Sequence, residues 1–566
     1  MQYFLDRIRI AVAEATRIPP DQIRVEQPRD REKGDFAVPC FVLAKMVKAN
    51  PASYAEELAA KLRNDLIEME VAAVGPFLNF RVERAELAKR TIETVLDSGT
   101  SFGSSDEGRT QRVLIDMSSP NIAKPMSVGH LRSTVIGAAI KRLFKFLGYE
   151  TVGINHIGDW GSQFGKLVAA VRRWGAGVDL EQEPIKALLE LYVRYHDEEP
   201  NDPALTEEAR AAFRELESGV DGDVRAIWRR LTELSLTEFD KIYARLGVTF
   251  DLVRGEAYYE THLDRTVQRI VDTGITEESQ GALIVDLESV KKGMPPCLLR
   301  KTDGTTLYAT RDLAAVFERW ELNHFERCLY VVGMDQRLHF QQLKAVLQRM
   351  DLFWEPRVVH VDFGMLRLPE GKMSTRKGRV VFLEDVLDRA VEEAQRIIVE
   401  KNPGLLDLEL VAEQVGVGAV VFNDLKRERV KDIEFVWADV LSFEGETGPY
   451  VQYTHARLAS ILRKAKEGGE GATSPDWSAV GDAAQVLLAL GRFPQVVRSA
   501  AEHAEPSEVT QYLLALCRET NSWYASTRVL GEAPPTSAAR LALVASIEIV
   551  LATGLGLLGL AAPAEM

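Results

Sequence analysis

Apolar positions recur every three to four residues in MQYFLDRIRIAVAEA, FVLAKMVKA and SYAEELAAKLRNDL, which predicts helices near the start of the chain, interleaved with strand-like runs such as FLNFRV. The Gly-, Ser- and Asp-rich stretch DSGTSFGSSDEGR that follows reads as a linker. The pattern then changes. VLIDM (113–117) is a short apolar strand, SSPNIAKPMS a loop, and Val128 to Leu147 a long amphipathic helix with Leu131, Val135, Ala139, Leu143 and Leu147 on one face. Gly148 stops that helix and TVGINHI predicts a second strand, so the unit reads β-loop-α-β, the opening of a doubly wound parallel sheet. From about residue 160 to 296 the chain is charged and mostly helical, an expected insertion between two halves of the sheet. Strand signals resume at CLYVVG (328–333) and VVHVDFG (358–364), preceded by the helical run LYATRDLAAVFERW and separated by QQLKAVLQRM. Beyond about Ala390 the pattern is helical almost throughout, broken by loops at Gly468–Gly471 and Gly531–Pro535.

A chain of 566 residues exceeds what one core usually supports, so two to four domains are expected. We place them at 1–106 (small, α+β), 107–440 (α/β, Rossmann-type, carrying the insertion at about 160–296) and 441–566 (all-α). Residues 541–562 are almost wholly apolar, but Glu548 and the glycines at 554, 556 and 559 interrupt them, which predicts a buried terminal helix rather than a membrane span. Asp6, Arg7 and Arg9 break any apolar leader at the start.

The net charge of −15 counts against a general nucleic-acid-coating protein, though not against an enzyme that grips one folded RNA through local basic patches. The four cysteines (Cys40, Cys297, Cys328, Cys517) form no C-x-x-C pair; neither a thiolate zinc site nor a disulfide framework is expected, and reduced thiols in a cytoplasmic protein are.

Three stretches carry chemistry. In SSPNIAKPMSVGHLRST (118–134) a loop after a parallel strand opens a helix, where free N–H groups and the helix dipole favour phosphate. Gly129 allows close backbone approach, His130 can donate to phosphate oxygens, and Lys124 and Arg132 add positive charge. Alone, a Gly-His pair at a helix start is more often a capping turn. In GKMSTRKG (371–378) a glycine-bounded loop with Lys372, Arg376 and Lys377 could meet the charge that develops on a pyrophosphate leaving group, or be an ordinary solvated basic loop. In LYATRDL (307–313) Tyr308 and Asp312 stand four apart, on one face of a helix.

Together these stretches resemble class I aminoacyl-tRNA synthetases, in the form found in the arginyl-tRNA synthetases. Gly129 and His130 match the end of the "HIGH" signature; Ser127 replaces its first histidine, so the resemblance assigns adenylate chemistry to His130. Lys372, Met373 and Ser374 match "KMSKS"; Thr375 replaces its second lysine, and Lys124 occupies the place from which a lysine stands in. The catalytic residues implied are His130, Lys124 and Lys372, and ATP is expected at Ser127, Gly129, His130, Lys372, Met373, Ser374 and Arg376.

A guanidinium is planar and permanently charged, so a selective pocket needs carboxylates and flat acceptors. The resemblance places arginine at Tyr308, Asp312, Gln336, Asn121, Glu256 and Asp116; the last stands where many relatives carry Glu. His156 and Asp159, in NHIGDWGSQFG, are expected to be active-site wall or structural residues without a chemical role. GDFAVP (34–39) and VGPFLNF (74–80) resemble the N-terminal domain that reads the tRNA D-loop, with Phe77 stacking and Asn79 on a base edge. GETGPYVQYTHARLASILRK (445–464) resembles the opening of the helical anticodon-binding domain, where Tyr450, Tyr453, His455 and Arg457 are RNA contacts or packing residues.

The implied reaction joins arginine to the terminal ribose of its tRNA through an arginyl-adenylate, with Mg²⁺ accompanying ATP, no resident metal, no membrane partner and a monomeric protein. Two rivals stay open at this point: an adenylate-forming enzyme with another acid substrate, and a catalytically silent relative that binds RNA.

Overall fold

The computed structural model describes residues 1–566 except 29, 64, 179–182, 368–380, 435, 441, 443–444 and 472. In the N-terminal part α1 (Gln2–Thr16), β1 (Phe36–Pro39), α2 (Phe41–Met46), α3 (Pro51–Leu62), β2 (Met69–Val74) and β3 (Phe77–Val82) build an antiparallel sheet in the order β1-β3-β2. The helical periodicity read in α1 and α3 becomes the core: Phe4, Ile8 and Val12 face Leu58 and Leu62 in one buried cluster. Next, α4 (Arg84–Ser98), capped by the Glu83 carboxylate on the amides of Ala85 and Glu86, packs on the C-terminal helices. The stretch read as a linker is therefore anchored. Its Phe102 is buried and stacks on Phe493 at 6.2 Å.

The central part opens with β4 (Arg112–Asp116), α5 (Val128–Phe146) and β5 (Glu150–Asn155). Helices α6 (Ser162–Trp174), α7 (Pro184–Glu198), α8 (Pro203–Glu217) and α9 (Asp223–Arg245) form a helical layer. Then come β6 (Leu252–Val253), α10 (Leu263–Val271), the antiparallel strands β7 (Thr276–Ser279), β8 (Ala282–Val285) and β9 (Cys297–Arg300), α11 (Tyr308–Asn323), β10 (Arg327–Gly333), α12 (Arg337–Arg349), β11 (Val358–Phe363) and β12 (Leu366–Arg367). The main sheet has the order β11-β10-β4-β5-β6 and every pairing in it is parallel. Within the stretch read as an insertion, then, the chain returns to the sheet at β6; a two-residue strand is too short to leave a hydrophobic pattern. Strand order reverses between β4 and β10, and ligands bind open α/β sheets outside the carboxyl ends of the strands at such a switch point.

The remainder is helical: α13 (Leu383–Lys401), α14 (Leu408–Leu425), the short β13 (Ile433–Glu434) that pairs with β12, α15 (Trp437–Val440), α16 (Gly448–Gly468), α17 (Ala484–Glu502), α18 (Ser507–Ser526) and α19 (Pro534–Leu558). The apolar tail is most of α19. By length and composition it could cross a membrane, but most of it is buried among neighbouring helices, and Glu548 lies 3.0 Å from the Nε2 of buried His455.

One expectation changes in kind. Helix α5 is not amphipathic over its first half: apart from Gly129 and His130, every residue from Val128 to Ile140 is buried. The sheet covers one side and α14, α17 and α19 the other, and a helix buried all round carries no polar face. Gly137 marks how close it lies to the sheet, since a Cβ there would meet Met117 Cβ at 2.4 Å. Gly137→Ala is expected to lower unfolding stability by about 1–3 kcal/mol through overpacking, read as a shift of the denaturant midpoint; an unshifted midpoint would contradict this packing.

Candidate active site

The loop from β4 to α5 crosses the switch point. Ser127 is the N-cap of α5, and its backbone N–H donates to His130 Nδ1 at 3.1 Å, with Ser127 Oγ 3.2 Å from the same nitrogen. A ring nitrogen that accepts carries no proton, so the proton of neutral His130 sits on Nε2. Burial, and secondarily the charge of Lys124, push the His130 pKa down to about 4. At neutral pH the first signature thus offers an uncharged N–H donor at the start of a long helix, beside exposed Gly129.

Lys124 lies in the same loop. Its ammonium donates to Gln163 Oε1 at 2.9 Å and sits 5.6 Å above the Tyr192 ring. Together with Trp160, Lys166 and Tyr308 these residues line a cavity of about 480 Å³, so the loop lysine and the first residue of α11 share one space. Asn121 packs against Gly158, where a Cβ would come within 2.4 Å of Asn121 Oδ1.

The expected arginine residues fall into two groups. Tyr308, Asp312 and Glu256 converge: Tyr308 opens α11, Asp312 follows one turn later, and Glu256 begins the 3₁₀ turn Glu256–His262. Burial pushes the Tyr308 hydroxyl up, helped by the charges of Glu256 and Asp312. Burial also drives the Glu256 carboxyl up to about 8; Arg311 opposes the shift, while Asp312, Asp159 and Glu260 add to it. These carboxylates crowd one another. Arg311 does not neutralise them fully, being tied to Glu260 by bonds of 2.9 and 2.5 Å. Gln336 is exposed immediately before α12, one turn ahead of His339.

Asp116 belongs to the second group and departs from expectation. At the end of β4 it is buried and pairs with buried Arg319 of α11 at 2.6 Å, while its other oxygen accepts from Ser119 Oγ at 3.2 Å. A buried guanidinium needs a counter-charge, and the carboxylate is committed to it rather than open to a substrate ammonium. His156 stacks on Tyr259 at 5.6 Å, and Asp159 accepts from the Ala257 amide at 2.9 Å.

Sequence reasoning missed two partners. His339 Nε2 lies 2.6 Å from Asp312 Oδ2. Burial would raise the Asp312 pKa, but His339 outweighs it and holds the carboxyl below its ordinary value; burial likewise works against protonation of His339, and Asp312 outweighs it. Arg319 is the other. It stands seven residues after Asp312, two turns on the same helical face, a spacing that could have flagged it; nothing in the local pattern of GMDQRLHF marks His339.

Lys372, Met373, Ser374 and Arg376, with Thr375 and Lys377, lie outside the described residues. Their flanks are described. Phe382 bridges to Ser127, and the Leu383 amide donates to Met126 O at 2.8 Å. The chain that carries the second signature therefore returns against the first.

Far from the sheet, Phe77 is half-buried and meets Phe41 edge-on at 5.7 Å. Asn79 is buried with no partner on its amide nitrogen among the described residues, and both line a cavity of about 690 Å³. On α16, Tyr453 and Arg457 are exposed. Tyr450 is half-buried and its hydroxyl accepts from Asn521 at 2.9 Å, while His455 is buried between Glu548 and Pro563 O; these two pack the bundle.

Comparison with known proteins agrees with this geometry. Residues 91–437 match the family model "tRNA synthetases class I (R), catalytic domain", residues 2–82 "Arginyl tRNA synthetase N terminal domain" and residues 451–566 "DALR anticodon binding domain". The chain is 47% identical over 545 residues to an arginine–tRNA ligase of Ligilactobacillus salivarius, covering 96% of this chain and 95% of that one. It is 44% identical over 544 residues to an arginine–tRNA ligase of Clostridioides difficile, again covering 96% and 95%. Among solved structures it is similar to Thermus thermophilus arginyl-tRNA synthetase, with a TM-score of 0.83 at 29% identity over the full length of both chains.

Proposed function

The chain belongs to the arginyl-tRNA synthetase family, and on that premise we propose that Asp312, Glu256 and Tyr308 hold the arginine side chain while His130 and Lys124 act on ATP. The reaction is the ligation of arginine to its tRNA: the arginine carboxylate attacks the α-phosphate of ATP, pyrophosphate leaves, and the terminal ribose hydroxyl of the tRNA takes the arginyl group from the adenylate. No protein nucleophile is needed, so the residues contribute position and charge stabilisation. Both rivals that the residues alone left open, another acid substrate and a silent RNA binder, fall away.

The observation that carries the pocket assignment is the convergence of Asp312 and Glu256 beside Tyr308 at the switch point. Two carboxylates with an aromatic ring nearby suit a guanidinium in charge and shape. Gln336, just before α12, and Asn121, in the β4–α5 loop, would hold the rest of the substrate. His130 Nε2–H would donate to the phosphates, with Ser127 and Gly129 beside it, and Lys124 would add the charge that Thr375 does not. Lys372, Met373, Ser374 and Arg376 keep their signature roles in this proposal. ATP arrives as its Mg²⁺ complex, a substrate pair that needs no dedicated protein cage.

The tRNA would meet Phe77 and Asn79 at its D-loop and Tyr453 and Arg457 at its anticodon arm, with Tyr450 packing the helix that presents them. We place the functional units at 1–106, 107–440 and 441–566. A cytoplasmic monomer completes the reading, supported by four unpaired, buried cysteines and by the burial of α19.

The pocket predicts a proton release. Glu256 is protonated in the empty site below about pH 8, and a bound guanidinium favours the ionised form. Arginine affinity should therefore rise with pH up to that value and level off above it, with protons released on binding. Calorimetry of arginine binding in two buffers of different ionisation heat measures the release; Glu256→Gln should reduce it and flatten the pH dependence. Binding with no proton release in the native protein would remove Glu256 from the pocket.

A further inference from the structure

We infer that Arg132 is a positioning residue for the ATP step: it fixes the strands flanking the second signature relative to the helix that carries His130. This rests on the proposed role of that signature. Arg132 lies in the first turns of α5 and is 1% exposed. Its Nη1 donates to Gly364 O at 2.6 Å and Lys431 O at 3.0 Å, its Nη2 donates to Arg429 O at 3.2 Å, and its Nε lies 3.0 Å from Asp424 Oδ1 on α14. One guanidinium thus holds three carbonyls and a buried carboxylate.

Gly364 O lies on the chain that leads into the second signature, and Arg429 O and Lys431 O on the chain just before β13, the strand that pairs with β12. Residues 368–380, which contain GKMSTRKG, follow Arg367 directly. Just before them, β12 pairs with β13; the Gly364 amide donates to Arg429 O at 2.9 Å, and the Met365 amide to Asp432 Oδ1 at 2.8 Å. The two strands approach so closely that a Cβ on Gly364 would meet Lys431 C at 2.5 Å. Just after the segment, Phe382 and Leu383 are bonded to Ser127 and Met126. Both ends are therefore referred to the start of α5: the returning end by backbone bonds to the N-cap, the outgoing end by the side chain of Arg132. Arg429 extends the outgoing bracket to the helical domain, with Nε donating to Ala504 O at 3.2 Å and Nη1 to Asp362 O at 2.6 Å.

A lysine carries the charge but is a point donor and cannot span three carbonyls and Asp424. Small misplacement of groups that act on a transferring phosphate is costly in rate. In pyrophosphate exchange with tRNA present, Arg132→Lys is expected to lower kcat/KM for ATP on the order of 10- to 100-fold, with KM for arginine close to native in the folded variant. Asp424→Asn keeps the three carbonyl bonds and should give a smaller loss of the same kind, which keeps the test open if Arg132→Lys folds poorly. Native ATP parameters in folded Arg132→Lys, or an equal loss on the arginine side, would overturn the inference. Lys372→Ala separates it from its premise: a native ATP step in that variant overturns the signature reading and this inference together, whereas a slow Lys372→Ala beside a native Arg132→Lys overturns the inference alone.

Discussion

Asp312→Ala is expected to lower kcat/KM for arginine by roughly 30-fold to several thousandfold, the equivalent of about 2–5 kcal/mol for removing one member of a desolvated charge pair. The argument starts from α11. Tyr308 opens the helix, Asp312 lies one turn on, and the partner carboxylate on Glu256 comes from a different segment. The substrate guanidinium adds a cation beside Arg311 and His339. Asp312 is the better ionised of the two, because His339 holds its carboxyl below the ordinary range whereas burial pushes Glu256 up to about 8. Its loss therefore removes the fixed negative charge of the pocket. KM for ATP should stay near native, since the phosphate contacts proposed for His130 and Lys124 come from α5 and the β4–α5 loop rather than from α11. The variant carries its own internal check. In native protein Asp312 keeps the His339 pKa above its ordinary value against burial; without Asp312 only the lowering influence remains, so the His339 titration followed by NMR should move down. An unchanged kcat/KM for arginine in folded Asp312→Ala would place arginine recognition elsewhere.

His130→Ala is expected to cost about 10²–10³ in kcat for adenylate formation, or about 2.7–4 kcal/mol, the range for deleting one preorganised donor to developing charge. The Ser127 amide occupies Nδ1, which leaves Nε2–H as the donor. Because burial keeps the ring neutral down to about pH 4, the native rate should show no step near the ordinary histidine value that His130→Ala abolishes. The same substitution removes the acceptor for the N-cap amide, at a stability cost of about 1 kcal/mol. A melting measurement separates this from the rate effect, and a stability loss of that size cannot account for a hundredfold change in kcat. If KM for arginine rose with kcat unchanged, His130 would be a pocket residue and not a phosphate donor.

How far this was legible depended on whether the signal was local. The β4–α5–β5 unit could be read directly, because an apolar run, a polar, proline-containing loop, an apolar-periodic helix and a glycine stop lie consecutively in the chain. The two-residue β6 could not, since its place in the sheet is set by pairing with Ile154 and Asn155 rather than by its own pattern. The reading of α5 as amphipathic failed for a tertiary reason: α14, α17 and α19 cover the side that solvent would otherwise wet. At the site, Tyr308 and Asp312 were legible as an i, i+4 pair on one helix. Their surroundings were not, because His339 reaches Asp312 from 27 positions away. Arg319 takes Asp116 out of the expected substrate set from 203 positions away, counted between the two residue numbers. The Arg132 bracket is the extreme case, joining α5 to backbone 232 to 299 positions later.

The central claim is that a cluster of carboxylates selects a charged, planar side chain. Its most direct test is the relative kcat/KM for ATP-dependent charging of tRNA with arginine, lysine and citrulline, the last keeping arginine's shape while replacing the guanidinium by a neutral urea. Buried acceptors left without their donors reject such an analogue by ~10⁴ or more, so the account predicts charging with arginine alone and discrimination of that order against both others. Charging of citrulline or lysine within about tenfold of arginine would contradict it, since neither the charge of Asp312 and Glu256 nor the flat face of Tyr308 would then be what the enzyme reads.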